Sequence, residues 1–265
     1  MTRGLHVAGA DAGALAGDAL GVVRGRPRVS VVIPTLNEAD NLQFVLPLLP
    51  PEVDEVVVVD GRSTDRTVAT ARALRPDAII VEQSGTGKGD ALAAGFRAAA
   101  GNVVVTLDAD GSTDPREIPR FIAALDQGAD VAKGSRFCRG GGSRDITRLR
   151  AAGNLALTSV VNLVFGTRYT DLCYGFNAYR AHRLPDLNVD CAGFEVETLI
   201  NVRAAKAGLR VIEVPSLERS RVFGVSNLNA FRDGWRVLRT IWREATAGSG
   251  AARRAATSRT RTLPL

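Results

Sequence analysis

The chain has 265 residues, 45% hydrophobic and 23% charged side chains, and a formal net charge of +6. This composition is that of an ordinary globular protein and argues against a disordered chain. Its three cysteines, Cys138, Cys173 and Cys191, lie far apart without C-x-x-C spacing, which argues against a disulfide framework or a zinc site.

The first 28 residues are not expected to form a secretory signal. Asp11 and Asp18 interrupt the apolar stretch that a secretory signal requires, so we expect residues 1–27 to be a disordered extension. No segment reaches the roughly 18 apolar residues of a membrane span. Residues 246–265 are basic and are predicted to be disordered, either as a solvated tail or as a segment attracted to acidic lipid. These features favour a cytoplasmic protein, soluble or peripheral on the cytoplasmic face of a membrane, that does not bind nucleic acid.

The first half alternates apolar runs with helical patterns. We predict strands at residues 29–34, 54–60, 78–82 and 102–108, with helices after the first three. Such alternation predicts right-handed βαβ units and a mainly parallel sheet covered by helices on both faces. The fold class is therefore α/β, in a single domain over residues 28–245.

The second half is less regular. We predict helices at residues 115–125, 152–165, 195–207 and 229–245, and a strand at residues 210–216. Residues 140–150 are rich in glycine and arginine and are predicted to form a mobile loop.

Polar residues follow three of the predicted strands. Asp60 and Asp108 end the second and fourth strands, and the glycine-rich stretch at residues 84–89 follows the third. In parallel sheets, ligands bind outside the carboxyl ends of the strands, so these features predict one site.

Asp108 and Asp110 form a D-x-D step at the end of the fourth strand. Strand side chains alternate with period two, so both carboxylates are expected on the same side, where they repel each other unless a cation lies between them. Mg²⁺ and Mn²⁺ prefer carboxylate oxygens and often complete their coordination with substrate phosphates. The alternative is a solvated turn, because LDADGSTD is also rich in turn-forming residues.

Several ordered motifs resemble a known family. VSVVIPTLNEADNL, EVVVVDGRSTDRT and GKGDALAAGFRAAAGNVVVTLDADGSTDP resemble the nucleotide-binding half of family 2 inverting glycosyltransferases, which have the GT-A fold. GSRF, TDLCYGFNAYR and RVFGVSNLNAFRDGWRVLRTI resemble the dolichol- or polyprenyl-phosphate mannose/glucose synthase branch. The resemblance covers about residues 29 to 241.

The resemblance implies a nucleoside diphosphate sugar donor, UDP- or GDP-hexose, with Mg²⁺ or Mn²⁺ as cofactor. Asp108 and Asp110 match the metal and diphosphate motif. The residues that match the nucleotide-sugar site are Pro34, Asn37, Glu38, Asp60, Lys88 and Asp108.

The same resemblance implies a polyprenyl phosphate acceptor, reached through a peripheral membrane contact or a membrane partner. The residues matched to the acceptor phosphate are Arg136, Arg150, Arg221 and Ser226. Arginine suits this role because its planar fork makes bidentate, charge-assisted contacts with phosphate. Arg136 is therefore also a catalytic candidate, together with Asp108 and Asp110.

A phosphate acceptor is already anionic and needs no general base, whereas a hydroxyl acceptor does. Glu195 is the candidate catalytic base in the hydroxyl case, with Glu197 as the alternative, and their spacing on a helix allows only one to face the site.

Three positions depart from the family pattern. Gly61 stands where the mannose synthases have a second aspartate, Asn177 where they have an arginine, and Asn227 where they have a lysine. The loss of two cationic positions keeps an alternative open, a soluble family 2 enzyme that acts on a hydroxyl of a small metabolite or glycan. A catalytically idle membrane-binding homologue is disfavoured, because Asp60, Asp108, Asp110, Arg136 and Arg221 are all present.

Overall fold

The structure is a computed structural model that describes residues 26–224 and 230–258, with side chains as far as residue 247. The strands are β1 (Val29–Thr35), β2 (Val53–Asp60), β3 (Ile79–Glu82), β4 (Val103–Thr106), β5 (Val131–Ser135), β6 (Gly142–Ser143), β7 (Asn177–Arg180), β8 (Val211–Pro215) and β9 (Leu217–Glu218). The α-helices are α1 (Ala39–Leu42), α2 (Thr67–Leu74), α3 (Gly87–Ala98), α4 (Ile118–Asp126), α5 (Arg148–Phe165), α6 (Leu184–Leu187), α7 (Val196–Lys206) and α8 (Ala230–Ser258). Short 3₁₀ turns lie at Leu46–Leu48, Pro115–Glu117 and Ala181–Arg183.

Seven strands form one sheet in the order β3-β2-β1-β4-β7-β5-β8. All neighbours pair in parallel except β7, which is antiparallel to both β4 and β5. Because β1 is a central strand of a sheet that is covered on both faces, its β-branched run is fully buried. This arrangement confirms the predicted α/β class and mainly parallel sheet.

Both faces of the sheet carry a hydrophobic core. Val31 and Ile33 pack in the cluster that includes α4, whereas Val32 packs in the opposite cluster with α3 and α7. This alternation follows from the period of two along an extended strand. A third cluster joins α5, α7 and α8, so these helices lie together beyond one face of the sheet.

Three predicted boundaries differ from the structure. β4 ends at Thr106, so Asp108 and Asp110 lie in the following turn and not on the strand. α5 begins at Arg148, where Thr147 caps it by accepting a hydrogen bond from the backbone N–H of Arg150. The prediction of a mobile loop at residues 140–150 is wrong for β6, which pairs with β9.

The predicted ends of the domain also change. Arg26 forms an ion pair of 2.6 Å with Asp54, so the predicted extension stops short of residue 27; residues 1–25 lie outside the described range. α8 continues to Ser258, into the segment predicted as a disordered tail, because this stretch is alanine-rich and has no proline. Residues 259–265 lie outside the described range.

Candidate active site

A cavity of about 890 Å³ opens at the carboxyl edge of the sheet. Its walls come from the loops after β1, β3 and β4, from the first turns of α3, α5 and α7, and from the start of α8. Nine of the residues that the sequence assigns to the site or names as an alternative line this cavity: Pro34, Glu38, Lys88, Asp108, Asp110, Arg136, Arg150, Glu197 and Arg221. The predicted convergence at this edge is therefore present in the fold.

The D-x-D step lies in a turn, so the period-two argument for its geometry is wrong. The cations that neutralise the two carboxylates come from remote parts of the chain. Lys88 Nζ lies 2.6 Å from Asp108 Oδ1, and Arg221 Nη2 lies 2.9 Å from Asp110 Oδ2. The second Asp110 oxygen accepts a hydrogen bond of 2.9 Å from the N–H of Ser112. Each aspartate is thus held by a different element.

Lys88 stands in the first turn of α3 and also contacts Glu197, at 2.7 Å from Oε1. Burial lowers the pKa of Lys88, but the charges of Asp108 and Glu197 outweigh that effect and raise it. The ammonium is therefore charged throughout the physiological range. A Cβ at position 175 would lie 2.5 Å from Lys88 Nζ and 2.8 Å from Asp108 Oδ2, so Gly175 leaves the room that this pair needs.

Arg221 connects the D-x-D turn to the loop after β1, because its Nη1 lies 3.3 Å from Glu38 Oε1. Burial raises the pKa of Glu38, and the hydrogen bond from Asn41 and the charge of Arg221 offset this only in part. We call Glu38, Lys88, Asp108, Asp110, Glu197 and Arg221 the donor cluster. Its four carboxylates face two basic groups, which leaves two formal negative charges uncompensated.

The donor cluster fits a divalent cation that is shared with a substrate. The described residues contain no group of three or more His, Cys, Asp or Glu side chains that could hold a metal ion by themselves. Mg²⁺ is commonly bound by one or two carboxylates together with substrate phosphates, and Asp108 and Asp110 supply that number. Two uncompensated negative charges match the charge of such an ion.

Arg136 lies in a second, more deeply buried cluster, with 6% of its surface exposed. Its Nε and Nη2 donate to Asp171 at 2.7 and 3.0 Å, and its Nη1 donates to Glu218 at 3.1 Å. Behind it, the buried Lys133 lies 3.8 Å from Glu213. We call these five residues the Arg136 cluster. Burial would raise the pKa of Asp171, but the hydrogen bonds and charge of Arg136 lower it overall.

Asp60 and Asn37 lie beside the cavity without lining it. The Asp60 carboxylate accepts hydrogen bonds from the Ser63 N–H at 3.2 and 3.4 Å. The Asn37 side chain accepts one of 2.8 Å from the Thr64 N–H. Both side chains therefore shape the loops after β1 and β2. Side chains and backbone from Gly61, Gln83 and Thr86 line the neighbouring part of the cavity.

Of the two candidate bases, Glu197 faces the cavity and Glu195 does not line it. Glu195 stands at the N-cap of α7, where its Oε1 accepts a hydrogen bond of 3.2 Å from the Gly193 N–H. The expectation that only one of the two faces the site agrees with this geometry, but the structure brings Glu197 there. Ser226 lies outside the described residues.

The sequence reasoning missed two parts of the site. Asp171 and Glu218, which hold Arg136, carry no local signal that joins them to it. The wall from α8, with Phe231, Trp235 and Leu238, did carry one, because these apolar residues recur at i, i+4 and i+7. The sequence prediction for this segment is only a helix at residues 229–245, with no role in the site.

Comparison with known proteins supports the resemblance. The profile described as glycosyl transferase family 2 matches residues 30–201. The polyprenol monophosphomannose synthase of Mycolicibacterium smegmatis is 34% identical over 228 residues, covering 81% of this chain and 86% of that protein. The undecaprenyl-phosphate mannosyltransferase of Micrococcus luteus is 34% identical over 216 residues, covering 76% of this chain and 88% of that protein.

A solved structure gives the same fold. The glucosyl-3-phosphoglycerate synthase of Mycobacterium tuberculosis, solved with Mn²⁺, UDP and glucosyl-3-phosphoglycerate, is 25% identical, with a TM-score of 0.64. The match covers 83% of this chain and 80% of that one. Among the described residues of the present chain, no helix has the length and apolar character needed to cross a membrane.

Proposed function

The chain belongs to glycosyl transferase family 2, and we propose that it transfers a hexose from a nucleoside diphosphate sugar to a polyprenyl phosphate, with inversion at the anomeric carbon. The observation that carries this proposal is the composition of the cavity. The donor cluster, two further arginines at positions 136 and 150, and apolar side chains of α5 and α8 all line it.

On the donor side, Pro34 and Glu38 line the space for the nucleotide, and Asn37 and Asp60 hold the loops that shape it. Asp108 and Asp110 would hold Mg²⁺ or Mn²⁺. When bound, this ion would neutralise charge on the leaving diphosphate. Lys88 adds a fixed positive charge beside Asp108, in a buried position where electrostatic stabilisation is strong.

On the acceptor side, Arg221 and Arg150 line the cavity and can donate to a phosphate monoester. An oxygen of that phosphate attacks the anomeric carbon while the bond from this carbon to the diphosphate breaks, so the nucleoside diphosphate leaves with the bonding electrons. The acceptor is already anionic, so no general base is required. Arg136 borders the same space, but only 4% of its side chain is exposed, against 20% for Arg221, and its Nε, Nη1 and Nη2 all donate to Asp171 or Glu218, which favours a role in holding the wall.

Two relatives in the polyprenyl-phosphate group, each 34% identical, support the lipid acceptor. The 25% identical glucosyl-3-phosphoglycerate synthase supports the second candidate, a hydroxyl of a small metabolite. That candidate needs a base, and of the two predicted bases Glu197 lines the cavity. Its Oε1 is held 2.7 Å from the Lys88 ammonium, so the carboxylate is not free to approach an acceptor hydroxyl, which favours the lipid phosphate. The protein would then act peripherally at the cytoplasmic face of a membrane.

The test is formation of a labelled glycolipid. UDP- and GDP-hexoses carrying a labelled sugar are incubated with polyprenyl phosphate in detergent, with Mn²⁺ or with a chelator. We expect metal-dependent label in the organic extract, and a parallel reaction with 3-phosphoglycerate serves as the comparison. A labelled water-soluble product that forms with 3-phosphoglycerate, together with no labelled lipid from polyprenyl phosphate, would overturn the lipid acceptor. Measuring the metal-dependent thermal stabilisation by each sugar nucleotide identifies which nucleobase the donor carries.

A further inference from the structure

The outer surface of α8 carries a stripe of exposed apolar side chains. Phe231, Trp235 and Trp242 are 80%, 68% and 73% exposed, and Leu238 between them is 40% exposed. At about 100° per residue, these four positions fall within an arc of about 60°. The buried positions of the same helix fall within an arc of about 100° whose centre lies about 140° from that of the stripe; they are Asp233, Val237, Thr240, Ile241 and Glu244. The stripe is therefore additional to the core-facing side.

A basic stripe runs beside the apolar one. Arg232, Arg236, Arg239 and Arg243 each follow an apolar position by one residue, so their stripe is displaced by about 100° around the helix. All four are exposed. An apolar stripe with Trp, Phe and Leu next to a row of arginines is typical of helices that lie in the interface of a bilayer.

α5 presents a similar surface next to α8. Its exposed residues include Leu149, Leu155 and Leu163, at 60%, 64% and 87% exposure. No charged residue occurs between Arg150 and Arg168, although much of this helix is exposed. Exposed apolar area of this extent in a soluble fold marks an interaction site.

Both apolar surfaces border the cavity. Leu149 and Ala156 of α5 line it from one side, and Phe231, Trp235 and Leu238 of α8 line it from the other. A partner that binds the apolar stripe would therefore also cover the opening of the cavity between α5 and α8. We propose that α5 and α8 dock on the surface of a bilayer with anionic headgroups, so that the cavity opens directly toward the lipid.

The charge pattern favours a bilayer over a second copy of the chain. A symmetric pairing through this surface would use the same patch on both partners and would bring the arginine stripes close together. Anionic headgroups instead attract those arginines, at up to about 1 kcal/mol for each basic residue near the surface. The contribution is smaller for Arg236 and Arg243, which also contact Asp233 and Asp190 at 3.5 and 3.3 Å. The inference deepens the proposed function, because a polyprenyl phosphate would present its headgroup at such a surface.

The chain offers a direct probe, because its two tryptophans, Trp235 and Trp242, both lie on the apolar stripe of α8. The probe is a vesicle of phosphatidylcholine with phosphatidylglycerol, without polyprenyl phosphate or sugar nucleotide. We expect a blue shift of the tryptophan emission and quenching by brominated acyl chains. Vesicles of phosphatidylcholine alone should bind at least tenfold more weakly, because several arginines each lose a favourable contact.

Substitutions on and away from α8 distinguish specific vesicle binding through this surface from nonspecific binding of the protein to vesicles. Trp242→Ser should weaken vesicle binding about tenfold, through the loss of one large apolar side chain. Ile79→Ser is the matched control, because Ile79 is also exposed but lies on β3, at the opposite edge of the sheet from β8. It should bind vesicles like the wild type.

An absent emission shift, or equal loss in both variants, would overturn the inference. A blue shift that depends on protein concentration without vesicles would also overturn it, in favour of a second copy. The assay contains no substrates, so vesicle binding without glycolipid synthesis would leave this inference standing and reject the proposed function. Glycolipid synthesis in detergent without vesicle binding would do the reverse.

A second observation concerns Asn41, a buried residue of α1 that contacts the strap segment, which we define as residues 219–224. Asn41 Oδ1 accepts a hydrogen bond of 3.0 Å from the Phe223 N–H, and its Nδ2 donates to the Phe223 carbonyl at 3.3 Å and to Glu38 at 2.5 Å. One carboxamide thus closes a two-point bridge to the strap backbone.

This bridge lies two residues from Arg221, which contacts Asp110 and Glu38. The N–H of Val222 also donates to the Asp110 carbonyl at 3.3 Å. The geometry points to Asn41 as a positioning residue, which holds the strap so that Arg221 stands over the D-x-D turn. This role rests on the proposed function of Arg221 at the acceptor phosphate.

A double-mutant cycle tests the role, because residues that act through one another have non-additive effects. Asn41→Leu should raise the acceptor KM about tenfold in the wild type and have almost no effect in an Arg221→Ala background. Asn201→Leu is the control, because it removes another buried amide, which donates to the Leu172 carbonyl. It should act equally in both backgrounds. Equal factors for Asn41→Leu in both backgrounds would reject the positioning role.

Hydrogen exchange gives a readout that needs no activity. Asn41→Leu should accelerate exchange of the Phe223 amide at least tenfold, while the Leu107 amide, which bonds to the Val32 carbonyl, keeps its rate. An unchanged Phe223 rate would show that the strap is held without Asn41. If the wild type proves inactive on polyprenyl phosphate, this measurement still decides whether the bridge orders the strap.

Discussion

The donor cluster and the Arg136 cluster both pair carboxylates with basic side chains, but they differ in access and in charge. In the donor cluster, four carboxylates share two basic groups that line the cavity, and Asp108 retains 29% side-chain exposure. In the Arg136 cluster, three carboxylates share Lys133 and Arg136, and Asp171 is fully buried.

This difference indicates how one type of contact serves two purposes. The donor cluster is partly exposed and has two more carboxylates than basic groups. It can therefore accept a cation, and its side chains can exchange a contact with each other for a contact with a ligand. A buried pair cannot lose one partner without leaving a charge in a low-dielectric interior, which costs several kcal/mol. We therefore expect changes in the donor cluster to reduce catalysis and changes in the Arg136 cluster to reduce stability.

The largest expected effect is on stability. Arg136→Met removes the partner of the buried Asp171, and we expect a loss of about 3–5 kcal/mol in the free energy of unfolding, measured by urea denaturation. Arg116→Met is the control, because its partner Asp114 belongs to an exposed pair with a 59% exposed arginine side chain. Similar losses in the two variants would contradict the distinction between buried and exposed pairs.

In Arg136→Met, the contribution of Asp171 to the free energy of unfolding should depend on pH in the opposite direction. In the wild type, the lowered pKa of Asp171 adds stability that is present above the unfolded value of about 3.9 and is lost as pH falls through the folded value. Without the guanidinium, we expect burial to raise this pKa, so the residue destabilises the variant as pH rises above about 4. The difference in unfolding free energy between wild type and variant should therefore grow from pH 3 to pH 6, and a constant difference would exclude this account.

The next effect is on turnover. Asp110→Asn removes one carboxylate of the D-x-D turn, and we expect kcat to fall by about 10²–10³-fold, with weaker metal-dependent nucleotide binding. Asp114→Asn is the matched control in the same stretch, because Asp114 pairs with Arg116 and Arg219 instead. Wild-type rates in Asp110→Asn would exclude the metal assignment.

A smaller effect should separate donor from acceptor. Arg221→Ala should raise the acceptor KM about tenfold, the change that the loss of one charge-assisted contact represents, and should change the donor KM much less. Steady-state kinetics with each substrate varied in turn measure the split. Equal increases in both constants would count against an acceptor role.

The smallest effect compares Glu197 with Glu195. Glu197→Gln weakens one contact of Lys88 while Asp108 remains, so we expect kcat to fall only about fivefold. Glu195→Gln should leave kcat unchanged, because Glu195 does not line the cavity. A loss of several hundredfold in Glu197→Gln alone would instead identify Glu197 as a general base and favour a hydroxyl acceptor.

Much of this architecture follows from local sequence. The β-branched runs of β1, β2 and β4 predict buried parallel strands, because only a sheet covered on both faces buries every side chain of such a run. Once the strands are parallel, their carboxyl ends share one edge, so Lys88 and Asp108 are expected at the same edge of the sheet. The resemblance of the motifs to family 2 glycosyltransferases predicts the family, and the match over residues 30–201 confirms it.

Other features depend on contacts that no local pattern contains. The partners of Arg136, at positions 171 and 218, are separated from it by 35 and 82 residues. The choice between Glu195 and Glu197 depends on the residue at which α7 begins. The function of the α8 stripe depends on which of its two apolar sides the core covers, and helical periodicity treats both sides alike.

The sequence by itself determined the parallel sheet and the edge at which the site forms, because backbone periodicity and strand direction require them, and the D-x-D motif marked the two carboxylates at its centre. The tertiary structure decided which charges neutralise which. Pairing depends on the position of side chains from remote elements to within about 1 Å, and that position is set by the packing of α3, α7 and the strap segment. The cations that stand beside Asp108 and Asp110 come from 20 residues earlier and 111 residues later in the chain.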